Sequence, residues 1–344
     1  MSTFIGIAAA VISGVLNGSF AAPMKLNVKW EWENTWLLYS ISALIVFPLI
    51  IVLLTVPGLL EIYRDTAGSV LVRTFLFGFG WGLGAVTFGL GLYMIGLSLG
   101  YTVMIGVIAV TGALIPMLVH NPGSLLTAGG KVIISAMLVT VGGVTLCGTA
   151  GAIREKGNRE QTGEQKKQRK FKLGFLICLV SGVLSAMLNL AFDFGAPIAE
   201  AARNHIGPLC TDFRANNAVW FMALLGGFVP NLAYCGYLLL YKKSWKRYAG
   251  AGTGLYWFRA FLMGAIWICC IMLYGAGASR LGKLGTTVGW LIMMAVAVLI
   301  GNLWGVITGE WKAAPQKAQQ RMVQGLLLLI GSVILVGFGK FLLD

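Results

Sequence analysis

Of the 344 residues, 58% are hydrophobic and 11% charged, and the mean hydropathy is +0.82. That balance lies outside the range of a water-soluble globular domain. The formal charge of +14 does not point to nucleic acid or another acidic ligand, because most of it falls in loops on one expected face of a bilayer.

Apolar runs at about 4–24, 34–55, 70–95, 99–119, 131–151, 172–195, 216–241, 254–276, 284–308 and 323–341 are each long enough to cross a hydrocarbon core of about 30 Å. An all-α polytopic membrane protein with ten transmembrane helices is expected. The first run lacks a basic leader and is long enough to span, so a cleavable signal is not expected. Pro48, Pro116 and Pro230 sit inside runs and should free carbonyls or bend their helices.

The long hydrophilic passage is Gly151 to Lys172, with eight Lys or Arg against three Glu. It separates a first half, 1–152, from a second, 172–344, with 153–171 as a basic linker. Such a run is held on the cytosolic side by the positive-inside effect. Alternating the spans from there puts 17 of the 26 basic residues on the cytosolic face and eight on the other, with Arg259 just inside the eighth span. Both termini are then expected outside.

The halves carry matching pieces. Ser13-Gly14-Val15-Leu16 recurs as Ser181-Gly182-Val183-Leu184, and Arg73-x-Phe75-Leu76-x-Gly78-x-x-Trp81 recurs as Arg259-x-Phe261-Leu262-x-Gly264-x-x-Trp267. Five spans is an odd number, so the second copy enters the membrane in the opposite sense. Two inverted five-helix repeats are the architecture of alternating-access carriers, with the site near the midplane where the repeats meet. Most of the 47 glycines fit close packing of helices in lipid.

Polar groups inside a membrane are costly and therefore lead the search for a site. Ser181, Ser185, Asn189 and Asp193 recur every four residues, one stripe on one helix face. Asn17 follows Ser13 at the same spacing in the first span. Asp193 is the carboxylate clearly within an expected span, toward its outer end, and is the candidate proton-coupling group. Trp81 and Tyr93 on the third span, Trp267 and Tyr274 on the eighth, and Trp290 on the ninth supply aromatic faces at interior positions. Together with Asn17 and Asn189 they form the candidate substrate site. Aromatic faces take the C–H face of a sugar or polyol, while amides and hydroxyls meet its oxygens. Asn231, Tyr234 and Asn302 are weaker additions. Trp30, Trp32, Trp36, Trp245 and Trp311 lie at span ends, where an interfacial aromatic belt accounts for them.

An enzyme is not expected. His120 and His205, the two histidines, fall in expected outer loops, and no metal, nucleophile-elbow or phosphate-loop motif occurs. The six cysteines show no paired or metal spacing. No cofactor or metal is expected, and the partners are a small neutral solute, a proton and the bilayer. A sodium-coupled carrier, a metabolite exporter and a passive channel remain open.

The chain resembles the L-rhamnose–proton symporters, a branch of the drug/metabolite transporter superfamily. The likeness runs along nearly the full length. It is carried by Ala22-Pro23-Met24-Lys25 with Lys29-Trp30-Glu31-Trp32-Glu33, by Phe77-Gly78 with Trp81-Gly82, and by Gly96-Leu97-Ser98-Leu99-Gly100. Further pieces are Gly226-Gly227 with Asn231-Leu232, Trp290, and Glu310-Trp311. The resemblance implies ten helices in two inverted halves and proton-driven uptake of a 6-deoxyhexose across a bacterial inner membrane. Another neutral sugar or polyol is the alternative substrate.

Overall fold

A computed structural model describes residues 2–95, 97–162, 171–250 and 252–343. Ten helices among them are long and apolar enough to cross a membrane. They are α1 (Ser2–Ser19), α2 (Trp32–Thr55), α3 (Gly68–Ile95), α4 (Leu97–His120), α5 (Ala128–Thr162), α6 (Phe171–Phe194), α7 (Asp212–Tyr241), α8 (Gly254–Arg280), α9 (Gly285–Ile307) and α10 (Gln316–Phe341). Arg154, Lys242, Lys243 and Arg247 lie on what is called here the basic face. The first residues of α1 and the last of α10 lie on the opposite face.

Local chemistry sets where these helices start, stop and bend. Thr211 caps α7, its hydroxyl accepting from the Arg214 N–H at 3.3 Å. At α2 the Asn34 side chain reaches back to the Glu31 N–H at 3.2 Å. Gly309, at φ 79, turns the chain after α9. In α2, Ser42–Val46 form a π turn directly ahead of Pro48. Pro48 cannot donate to the carbonyl four residues back, and the wider turn absorbs the crowding of its ring. Pro116 and Pro230 lie inside α4 and α7, as expected.

One boundary differs. The hydrophilic passage expected as a loop from Gly151 is helical as far as Thr162, and the remainder of the expected linker, 163–170, lies outside the described residues. Hydropathy reports where the chain leaves the hydrocarbon; it does not report where the helix ends. Arg154, on this extension, places its guanidinium 4.7 Å over the Trp311 ring and 3.2 Å from the Glu310 carboxylate. The Lys25 ammonium pairs with the same carboxylate. Burial alone would raise the Glu310 pKa, but these two cations hold it below the ordinary range.

Each half lends its first helix to the other. α1 packs along α8 and α9, α6 packs along α3 and α4, and α5 pairs with α10. The contacts are matched in detail. Ser13 Oγ donates to the Cys270 carbonyl at 2.9 Å, and Ser181 Oγ donates to the Gly84 carbonyl at 3.0 Å. A Cβ on Gly14 would fall 2.6 Å from Val296 Cβ and 2.8 Å from the Met293 carbonyl; one on Gly182 would fall 2.7 Å from Val107 Cβ and 3.1 Å from the Met104 carbonyl. α3 meets α7 more closely still, since a Cβ on Gly78 would lie 1.8 Å from the Ala223 carbonyl oxygen. Gly78→Ala is therefore expected to force these helices apart at a cost of about 1–3 kcal/mol or more, read as a lower melting temperature in detergent. Gly106→Ala, where a new methyl meets nothing within 4 Å, should melt like the wild type.

Candidate functional site

A cavity of about 470 Å³ lies between α6, α3 and α4 on one side and α1, α8 and α9 on the other. Its volume is within the roughly 300–1,000 Å³ typical of small-molecule sites. It runs from Leu188, six residues before the end of α6, and Trp290, five residues into α9, toward the basic face, where Met24, Trp32 and Gly301 line it. The wall is largely aromatic. Trp81 and Trp267 stack on one another, ring centres 5.3 Å apart and 16° from parallel. Tyr39 meets Trp267 edge-on at 6.2 Å and Trp36 at 5.0 Å, and Phe20 lies 5.3 Å from Tyr39. Asn17 and Ser185 bring polar groups to this wall.

Above the cavity, toward the opposite face, the two sides are joined by hydrogen bonds. Trp290 Nε1 donates to the Ile108 carbonyl at 3.0 Å and Thr287 Oγ1 to the Ala113 carbonyl at 2.9 Å. Asn189 Nδ2 donates to the Gly112 carbonyl at 2.7 Å and to the Thr286 carbonyl at 3.3 Å. Pro116 explains the first acceptor: lacking an N–H, it leaves the Gly112 carbonyl without its helical partner. Gly112 also has no room for a side chain, because a Cβ there would sit 2.3 Å from Trp290 Nε1. The Tyr274 hydroxyl donates to Asn189 Oδ1, and Asn189 and Tyr274 are both fully buried.

One turn farther, Thr286 Oγ1 donates to Asp193 Oδ1 at 2.6 Å. The other oxygen of Asp193 lies 2.7 Å from His120 Nε2. The Asp193 side chain is 11% exposed and that of His120 43%. Beyond them a small pocket of about 160 Å³ is bordered by Asp193, Thr286, Asn216, Ser279, Arg203 and Lys283. The acid therefore stands between this pocket and the buried column of Thr286, Asn189 and Tyr274.

Of the residues expected in the substrate site, Asn17, Trp81, Trp267 and Trp290 line the cavity. Asn189 and Tyr274 stand behind its inner end instead, bonded to each other. Tyr93 is on α3, and its side chain lies outside the described residues. The four-residue stripe of α6 keeps to one face: Ser181 bonds α3, Ser185 lines the cavity, Asn189 bonds α4 and Asp193 bonds α9. Asn231 accepts from Trp36 Nε1 at 2.9 Å, and Asn302 bonds its own helix at Val298.

Three expectations need correction. Trp32 and Trp36, read as belt residues, line the cavity and stack at 5.2 Å. His120, read as a loop residue, closes α4 and touches Asp193. Glu33, read as lying near the surface, is fully buried and held by Ser244 Oγ at 2.7 Å and Lys242 Nζ at 3.1 Å. A charged side chain close behind a span end is read from sequence as solvated, but here the chain after α7 folds over it. Among the described residues, no cluster of His, Cys, Asp or Glu could hold a metal ion.

Comparison with known proteins gives a consistent result. The family model described as "L-rhamnose-proton symport protein" matches residues 1–341. The L-rhamnose-proton symporter of Cronobacter sakazakii (strain ATCC BAA-894) is 27% identical over 343 residues, covering 97% of each chain. Those of Yersinia pestis (strain Pestoides F) and Yersinia pseudotuberculosis serotype O:1b (strain IP 31758) are each 26% identical over 344 residues, again covering 97% of both chains.

Proposed function

The chain belongs to the L-rhamnose–proton symport family, a family of transporters and not of enzymes, and we propose on that footing that it takes up L-rhamnose, or a closely related 6-deoxyhexose, together with a proton. The observation that carries the reading is the pairing of an aromatic cavity with a carboxylate beyond its closed end. Flat rings of Trp81, Trp267 and Trp36 suit the apolar C–H faces of a deoxy sugar, and Asn17 and Ser185 suit its hydroxyls. Asp193 supplies the titratable group that a transported proton requires.

The two inverted repeats are part of the proposal. Cys270 and Gly84 each stand eleven residues after the arginine of the repeated motif, and each accepts the bond from the serine of the other half. Trp81 and Trp267, also equivalent by the motif, are the pair that stack at the cavity wall. This matching supports a pseudo-two-fold axis through the site, the arrangement that rocking carriers use.

In a bacterial inner membrane the basic face would lie in the cytosol and both termini in the periplasm. The cavity then extends toward the cytosolic side, with the outer side closed by the Asn189, Tyr274 and Trp290 bonds. A cysteine replacing Asn121 should react with an impermeant thiol reagent added to whole cells, and one replacing Gln165, outside the described residues, should not. Reversed labelling would invert the orientation.

Purified protein in liposomes tests the function. With an imposed proton gradient it should concentrate labelled L-rhamnose, and a protonophore should abolish the accumulation. Among unlabelled competitors L-rhamnose should displace best. Equilibration without accumulation would mean a passive channel, dependence on sodium a different coupling ion, and stronger displacement by another sugar a different substrate.

A further inference from the structure

The outer-face acid does not stand alone. His120, from the end of α4, and Asp193, from the end of α6, bring Nε2 and Oδ2 to 2.7 Å, within ion-pair reach, while Oδ2 has no hydrogen-bond partner among the described residues. The imidazole is the half-exposed partner and the carboxylate the more buried one. Thr286 occupies the other carboxylate oxygen, and the carboxylate also borders the small outer pocket. Resting on the symport reading above, we infer that the transported proton is bound by Asp193 and His120 as a pair.

The charge balance is simple. Unloaded, a neutral imidazole stands beside the carboxylate, and the pair carries one negative charge. A proton taken from the outer medium onto Nδ1 gives an imidazolium against a carboxylate, and the pair is neutral. A neutral pair costs less to enclose than a lone carboxylate when the outer side closes over it. The pair thus offers the proton an exposed imidazole nitrogen beside a more buried carboxylate.

Other groups set the field at this spot. From the helix Ala196–Ile206, Arg203 borders the same pocket as Asp193 and is itself 3.0 Å from Asp212. Lys283 borders the pocket ahead of α9, and the Tyr274 hydroxyl, from α8, lies 3.3 Å from the carbonyl of Thr286. Arg73, on α3, lies over Phe194, whose ring is 5.0 Å from the His120 ring. These groups are unchanged in a His120 variant, so they fix where the pH profile lies and cancel in a comparison between variants.

The test uses full-length protein in liposomes, comparing wild type, His120→Gln, His120→Ala and Asp193→Asn for sugar counterflow and for concentrative uptake across pH. Both His120 variants are expected to retain counterflow within about twofold of wild type. In both, the alkaline limb of concentrative uptake should move by at least one pH unit. A wild-type profile in both variants overturns the inference. So does a profile that shifts with Ala and is restored by Gln, since the imidazole would then serve only as a hydrogen-bond donor. Loss of counterflow in His120→Gln overturns it too, because the imidazole would then serve the sugar step. The underlying reading fails separately, if Asp193→Asn still concentrates sugar.

Discussion

Asp193→Asn is expected to abolish accumulation of sugar while leaving exchange of labelled for unlabelled sugar intact. Asparagine keeps the size of the side chain and an oxygen to accept from Thr286 Oγ1, now at 2.6 Å, but it cannot carry a proton. A pH gradient of one unit is worth about 1.4 kcal/mol per proton, about a tenfold concentration of solute at one proton per sugar. In the variant that ratio should fall to one. Counterflow moves no net proton, so it needs the cavity and the rocking of the two sides but no titration. The residues of α6 that line the cavity, Leu188 and Ser185, stand five and eight residues before Asp193, and the substitution should leave them undisturbed. Undiminished, pH-dependent accumulation in Asp193→Asn would move the coupling group elsewhere, with Glu200 and His205 the next to replace.

The features legible in the sequence are those that a period or a run can encode. Ten spans are legible because a bilayer demands runs of a set length. The stripe of Ser181, Ser185, Asn189 and Asp193 is legible because a helix repeats every 3.6 residues. What a stripe cannot give is its partner. That Asn189 meets Tyr274 and Asp193 meets His120 depends on how α6 packs against α8 and α4, and no spacing within α6 encodes it. His120 was hidden for a further reason: the apolar run of α4 ends just before it, so hydropathy places it in a loop. Trp36 was hidden by its position, since a tryptophan near a span end satisfies the aromatic-belt rule whether it faces lipid or a cavity. The Pro116–Gly112 spacing was in principle a signal. A proline inside a span marks a freed carbonyl four residues back, and the polar partner for it can be sought on neighbouring helices.

Trp81→Ala and Trp267→Ala are each expected to weaken L-rhamnose binding by about 1–3 kcal/mol, or roughly 5–150-fold, through lost apolar contact. Because the two rings stack on each other at 5.3 Å, removing either also releases the other from its fixed orientation. The double variant should therefore lose less than the sum of the two single losses, the mark of residues acting as one surface. Their placement decides how the single variants differ. Trp267 is 4% exposed and packs on Tyr39, so its truncation also opens a void and should lower the melting temperature. Trp81 is only half-buried, and its loss should fall more cleanly on sugar affinity. Trp290 tests the other end of the cavity, but its indole N–H bonds the Ile108 carbonyl, so Trp290→Ala is expected to impair closure of the outer side as well as binding. Trp245→Ala, on an exposed ring at the basic face, is the control and should bind as wild type. Affinities measured on folded, monodisperse protein decide the matter: unchanged binding in the Trp81, Trp267 and Trp290 variants alike would place the sugar outside this cavity.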